Sequence, residues 1–280
     1  MRLTERGSGS PRVAIIGGIH GDEPAGEAII DRLVERLSVD AGTVQLLVAN
    51  EPALEAGKRY LDTDLNRVFP GDPESDDYES ALAARIARIV EGADAVLAIH
   101  TSQSVPPPFA IFSGLTDAAR RTVTALPVEY AVDASSLRST TLDAIVPHTV
   151  SIEAGEQGSA EAVEFGTECA YAFLRAHGVL TDRKPTFSEK QMVRAREEVP
   201  KGSGEPTLNY PDNFEEIPEG EVFASDEEYT HRVSSEGIVP ILASEHGYDD
   251  IFGLYGQFDG TMDLPTDAET LAAGNGGEES

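Results

Sequence analysis

Short apolar runs alternate along this chain with segments whose apolar residues recur at helical spacing. Residues 13–16, Val-Ala-Ile-Ile, predict a buried strand, and 24–37 place Ile29, Ile30, Leu33, Val34 and Leu37 on one face of a helix. Residues 43–49 are a second continuous apolar run, fit for burial on both faces. A loop over 50–77 follows, then a helix over 78–91 with Leu82, Ile86, Ile89 and Val90 on one side. Residues 95–99 read as another buried strand, ending on His100-Thr101-Ser102. Pro106, Pro107 and Pro108 bar a helix. Strands at 109–112 and 128–132 flank a helix at 116–126, and a strand at 149–153 leads into a helix at 160–176. This alternation predicts an α/β fold with a mixed, largely parallel sheet flanked by helices.

From about residue 181 the pattern changes. Short β-like pieces at 191–194, 221–224 and 237–243 are separated by Pro, Gly, Asp and Glu. The expectation is an α/β domain over 1–180 and a small, mostly β C-terminal domain over 181–264. An acidic, Gly-rich tail over 265–280 is expected to be disordered. At 280 residues there is ample chain for a sizeable core.

Charge narrows the partners. Fifty Asp and Glu face 21 Lys and Arg, a net charge of −29, and only Lys58, Lys184, Lys190 and Lys201 are lysine. Nucleic acid and anionic membrane would both be repelled. Charge of this size opposes compaction unless salt screens it, which points to the interior of a salt-accumulating halophile. Cys169 is the single cysteine, so no internal disulfide can form, and its apolar helical context marks it as inert core. No run has the length of a signal h-region or a membrane span, and a cytoplasmic location is expected.

The chemistry gathers at predicted strand ends. His20 and Glu23, three residues apart after the first strand, can both turn toward one metal ion. Ligands bind at that end of strands in open α/β sheets. His100 and Glu153 end two further strands. Two histidines and one carboxylate make a catalytic zinc site with one position open to water, and a separate carboxylate is then needed to carry the proton. Each residue also has a plainer reading: a polar loop pair for His20 and Glu23, a hydrogen-bonded structural group for His100, a capping carboxylate for Glu153. Gly17-Gly18 and Gly21 could instead serve a nucleotide. The spacing is not Gly-x-Gly-x-x-Gly, however, no acidic residue ends the second strand, and Glu23 would face the phosphate.

Five segments together carry a resemblance. Gly17-Gly18-Ile19-His20-Gly21-Asp22-Glu23, Arg59-Tyr60, Asp64-Leu65-Asn66-Arg67-Val68-Phe69, His100-Thr101-Ser102 and Ile152-Glu153-Ala154-Gly155 resemble the succinylglutamate desuccinylase/aspartoacylase family, in its order. That family is similar to zinc carboxypeptidases in its catalytic domain. The resemblance covers about residues 13–158, with a weaker echo at Glu245-His246-Gly247-Tyr248. It implies one zinc held by His20, Glu23 and His100, with Glu153 as general base and acid. It further implies Arg59 facing the scissile carbonyl, Asn66 and Arg67 holding a substrate carboxylate, and Tyr248 reaching over the site from the C-terminal domain. Asp64 is expected to orient its loop.

The implied activity is removal of an acetyl- or succinyl-type group from a small N-acyl amino acid by metal-activated water. Carboxypeptidase action on short peptides is the nearest alternative, and a non-catalytic relative is a further one. One departure stands out. Aspartoacylases have a further arginine about ten residues before the catalytic glutamate, where it helps to grip the substrate's side-chain carboxylate. The segment Thr140-Thr141-Leu142-Asp143-Ala144 has none, and Arg138 is displaced. Strict preference for N-acetylaspartate is therefore not expected. A homo-oligomer is compatible with the sequence.

Overall fold

The computed structural model describes residues 1–104 and 107–266. Pro106 and the expected tail from residue 267 onward lie outside the described residues. Thirteen strands and six α-helices run in the order β1 (Arg2–Ser8), β2 (Arg12–Gly17), α1 (Pro24–Arg36), β3 (Gly42–Val48), α2 (Glu51–Ala56), α3 (Tyr78–Val90), β4 (Ala95–Ser102), β5 (Phe109–Phe112), α4 (Asp117–Ala125), β6 (Tyr130–Asp133), α5 (Leu142–Ile145), β7 (Thr149–Glu156), α6 (Ala160–Ala176), β8 (Lys190–Pro200), β9 (Thr207–Leu208), β10 (Val222–Ser225), β11 (Thr230–Arg232), β12 (Val239–Ile241) and β13 (Ile251–Met262). A 3-10 turn occupies Leu65–Arg67.

Ten strands form one sheet in the order β1-β3-β2-β4-β7-β5-β6-β8-β13-β12. Its centre, β3-β2-β4-β7, is parallel. Both faces of that centre are covered, which is why its strands read as unbroken apolar runs. Val13 and Ile15 of β2 point into a core built with Ile29 and Leu33 of α1, Val123 of α4 and Phe173 of α6. Ala14 and Ile16 point the other way, into a core with Leu82 and Ile86 of α3 and Leu142 of α5. Cys169 is buried in the first of these cores, and burial pushes its thiol pKa well up.

The expected α/β architecture with a mixed, largely parallel sheet is present, together with a small antiparallel β part, β11-β10-β9. The remaining C-terminal strands continue the large sheet: β8 lies parallel to β6, and β13 and β12 follow in antiparallel pairing. Besides the short α5, β9 and β11, three elements stand where the hydrophobic pattern indicates none. β1 is a polar edge strand paired antiparallel with β3, Arg2 opposite Val48. The short helix α2 lies inside the loop expected at 50–77, capped by Asn50 and stopped by Gly57 at φ 59°. β13, the longest strand, carries three glycines and several register shifts.

Candidate active site

β2, β4 and β7 are neighbours in the sheet, so their C-terminal ends open at one place. His20 and Glu23 lie between β2 and α1. His100 in β4 and Glu153 in β7 are partners across the parallel pair. Close backbone approach sets the first turn. A Cβ on Gly17 would lie 2.3 Å from the Gly26 carbonyl oxygen, and one on Gly21 would lie 2.1 Å from the Ala53 backbone. Only glycine fits at either position.

Glu23 occupies the N-cap position of α1 but makes no capping bond there, and Pro24 follows it. Its carboxylate turns inward instead. Oε1 stands 2.7 Å from His20 Nδ1, and Oε2 stands 3.2 Å from His100 Nδ1 while accepting from the Thr101 backbone N–H. His20, Glu23 and His100 are 3, 5 and 5% exposed. Burial alone would raise the Glu23 pKa, but the two imidazoles outweigh it and hold the carboxyl well below the usual range. Burial and the Arg59 charge oppose protonation of His20, yet Glu23 and Asp64 prevail and push it up to about 9.

The residues present fit a zinc ion. One ligand atom from each of His20, Glu23 and His100 lies within 4.8 Å of the others. A buried carboxylate wedged between two imidazoles can share a cation with them, and this nitrogen and oxygen set suits zinc. His100 Nε2 is buried without a partner among the described residues.

Glu153 stands beside this group, 9% exposed, with Oε2 buried and without a partner among the described residues. Burial first, and then the Glu23 charge, push its carboxyl up to about 8. A carboxyl tuned in this direction can both take and give a proton near neutrality. The Arg59 guanidinium donates to Asp64 Oδ2 at 3.1 Å and to Glu23 Oε1 at 3.3 Å. Desolvation works against its charge, but Asp64 and Glu23 keep it firmly protonated.

Asp64 does more than turn the loop. It accepts from Arg59 and from the Asn66 backbone N–H, and its Oδ1 lies 3.1 Å from His20 Nε2. Glu79, fully buried at the start of α3, holds the preceding stretch. It accepts from the backbone N–H groups of Leu61, Asp62 and Thr63 and from Asn50 Nδ2. Asn66 accepts from the Leu142 N–H through Oδ1, and its amide N–H groups make no hydrogen bond among the described residues. Arg67 donates Nη1 to the Asn66 carbonyl. Tyr248 lies with its ring centre 5.5 Å from the Arg59 guanidinium carbon, and burial raises its hydroxyl pKa.

All eight residues singled out in the sequence (His20, Glu23, Arg59, Asn66, Arg67, His100, Glu153 and Tyr248) line one pocket of about 780 Å³, open mouth included. The sequence reading missed Glu79, which resembles any polar residue in a helix's first turn. It also left Asp143, Ser113, Ser151 and Glu198 of the lining without a role.

Comparison with known proteins finds relatives of one kind. Over 75 residues the chain is 39% identical to a succinylglutamate desuccinylase of Yersinia enterocolitica, a match covering 25% of this chain and 23% of that protein. Over 105 residues it is 34% identical to an N-alpha-acetyl-L-2,4-diaminobutyric acid deacetylase of Halomonas elongata, covering 35% and 30%. These matches span less than a third of the curated relatives' length. A crystal structure of a succinylglutamate desuccinylase/aspartoacylase from Rhodobacter sphaeroides superposes with a TM-score of 0.70 at 23% identity, over 92% of this chain and 88% of that one. Residues 9–173, more than half of the chain and the source of every residue around the pocket named above except Glu198 and Tyr248, match the model of one catalytic domain, and by that match the chain belongs to the succinylglutamate desuccinylase/aspartoacylase family.

Proposed function

We propose that this protein is a zinc-dependent amidohydrolase that removes the acyl group from a small N-acyl amino acid. The observation that carries this reading is the buried carboxyl of Glu153, its Oε2 without a partner among the described residues, beside the His20–Glu23–His100 group, within one pocket that also holds Arg59 and Arg67. The names of the matched relatives, a desuccinylase and a deacetylase, support the same reaction class.

His20, Glu23 and His100 would hold the metal. Bound there, zinc supplies Lewis acidity toward an amide oxygen and lowers the pKa of water. Arg67, with the free N–H groups of Asn66, binds the substrate carboxylate and fixes the amide next to Glu153. Arg59 places its positive charge where the carbonyl oxygen becomes negative. Glu153 takes the proton of the attacking water and gives it to the amide nitrogen as the C–N bond breaks. The products are a carboxylic acid and a free amine. Tyr248, Leu242 and Leu254, from the C-terminal part over 181–264, cover the pocket and keep its occupant small. The strongly acidic surface suits this chemistry to the salt-rich cytoplasm of a halophile.

The test is amine release from N-acyl amino acids by zinc-loaded wild type and Glu153→Gln in molar KCl. The variant is expected to bind zinc one-to-one while kcat falls at least about 10³-fold. Undiminished turnover would remove Glu153 from the mechanism.

A further inference from the structure

Three arginines line the pocket: Arg59, Arg67 and Arg138. Two of them are already engaged. Arg59 is held by Glu23 and Asp64. Arg138 donates Nε and Nη2 to the two oxygens of Glu198, and Nη2 also to Asp250 Oδ2 at 3.1 Å. Arg67 alone has no carboxylate within salt-bridge distance among the described residues, and it donates only to the adjacent Asn66 carbonyl. The pocket therefore offers one guanidinium to a ligand, enough for one carboxylate. A second carboxylate, on a succinyl group or on an acidic side chain, would find no lining guanidinium without a carboxylate partner among the described residues.

The opposite charge is in surplus. Asp143, in α5, is 8% exposed and lines the pocket, and its one hydrogen bond among the described residues comes from the Ser113 hydroxyl. No lysine or arginine of the described residues reaches it. Glu198 and Asp250 together outweigh the single charge of Arg138 beside them. Ser151, two residues before Glu153 on the same face of β7, is 5% exposed and lines the pocket, its hydroxyl without a partner among the described residues. Ser151 pairs across the sheet with Ile111, two residues before Ser113. A buried carboxylate, one hydroxyl bound to it and one hydroxyl without a partner make a lobe that lacks a donor-rich cation. Ile111, Ala134, Leu137 and Leu242 supply apolar wall for an alkyl stem.

We propose that the pocket selects Nα-acyl amino acids with an uncharged acyl group, a single carboxylate and a cationic side chain. Arg67 and Asn66 take the carboxylate, and Asp143, with Ser113 and Ser151, takes the side-chain ammonium. This inference rests on the deacylase reading and narrows it. It also fits the molecule as a whole. Such a substrate is a zwitterion without net charge, so the field of a −29 protein does not repel it as it would an N-acyl dicarboxylate.

Two readouts on the zinc-loaded full chain test it: calorimetric binding of L-ornithine, L-norvaline and L-aspartate, and kcat/KM for their Nα-acetyl derivatives and for Nα-succinylornithine. Ornithine is expected to bind at least about tenfold more tightly than norvaline, with aspartate weakest, and acetylornithine to be cleaved in preference to every other compound. Asp143→Asn should reduce the ornithine-to-norvaline ratio about 10- to 100-fold in both readouts. Should that variant not fold, the wild-type order still decides. Tighter binding of aspartate or norvaline, no preference, or an unchanged ratio in a folded variant overturns the assignment. Preferential ornithine binding without cleavage of any compound would leave the pocket assignment standing and remove the deacylase reading.

Discussion

At His20 the identity of a neighbour decides what the ring can do. Were His20 to ligate a metal through Nδ1, its proton would stand on Nε2, where Asp64 Oδ1 at 3.1 Å could accept it, although Arg59 Nη2 lies equally near. A carboxylate behind a ligand histidine fixes the tautomer and makes the ring a stronger donor. The same Asp64 holds Arg59, so one side chain touches both a proposed metal ligand and the group proposed to face the oxyanion. Asp64→Ala is accordingly expected to weaken zinc binding about 10- to 100-fold, with Asp64→Asn, which keeps an acceptor and loses the charge, between it and wild type. Competition with a chromophoric chelator measures this. Equal affinity in all three proteins would reduce Asp64 to a loop residue.

At the scale of elements, the loop from Arg59 to Arg67 carries the proposed substrate-binding groups with little regular structure, and Glu79 at the start of α3 is what fixes it. Its carboxylate receives four N–H groups, three of them backbone donors of that loop. Glu79→Ala would strand those donors in a buried place, at a cost of about 3 kcal/mol or more. The expected result is a lower urea midpoint with unchanged m, and in the folded protein a raised KM. A loss below about 1 kcal/mol would mean that water replaces the carboxylate. Glu79 also shows where sequence reading ends. β2, β3, β4 and β7 announce themselves because burial on both faces demands continuous apolar residues, and α1, α3 and α6 because each buries one stripe. β1 is an exposed edge whose alternating polar residues carry no such demand, and the six residues of α2 are too few to show a period. β13 is held by pairing to β8 and β12, a long-range cause that its own glycines conceal. The pocket follows the same division. His20, Glu23, His100 and Glu153 sit at the ends of legible strands, whereas Asp143 stands on the one-turn helix α5, tied to Asn66 across 76 positions of sequence.

The whole molecule carries 29 more negative than positive charges on 280 residues, and outside the pocket several ion pairs of the described residues, such as Arg2 with Asp31 and Arg194 with Asp259, are surface contacts of small worth. Most of its carboxylates therefore repel one another more strongly in the compact chain than in the expanded one. At 0.1 M salt the screening length is about 10 Å, long enough for neighbouring surface charges to interact, and at 1 M it is about 3 Å. Folding should gain several kcal/mol across that range. Unfolding is expected to shift upward by at least about 10 °C between 0.1 M and 2 M KCl, at a few degrees per kcal/mol for a chain of this size. Sucrose at equal osmolality separates screening from surface exclusion, since it is excluded from the protein surface yet leaves the charges unscreened. A matching rise in sucrose would assign the effect to exclusion, and a flat response to KCl would show that the acidic surface is no adaptation to salt. Scanning calorimetry on the metal-free protein makes the comparison free of any change in zinc affinity, so the shift reports on the chain's own charges.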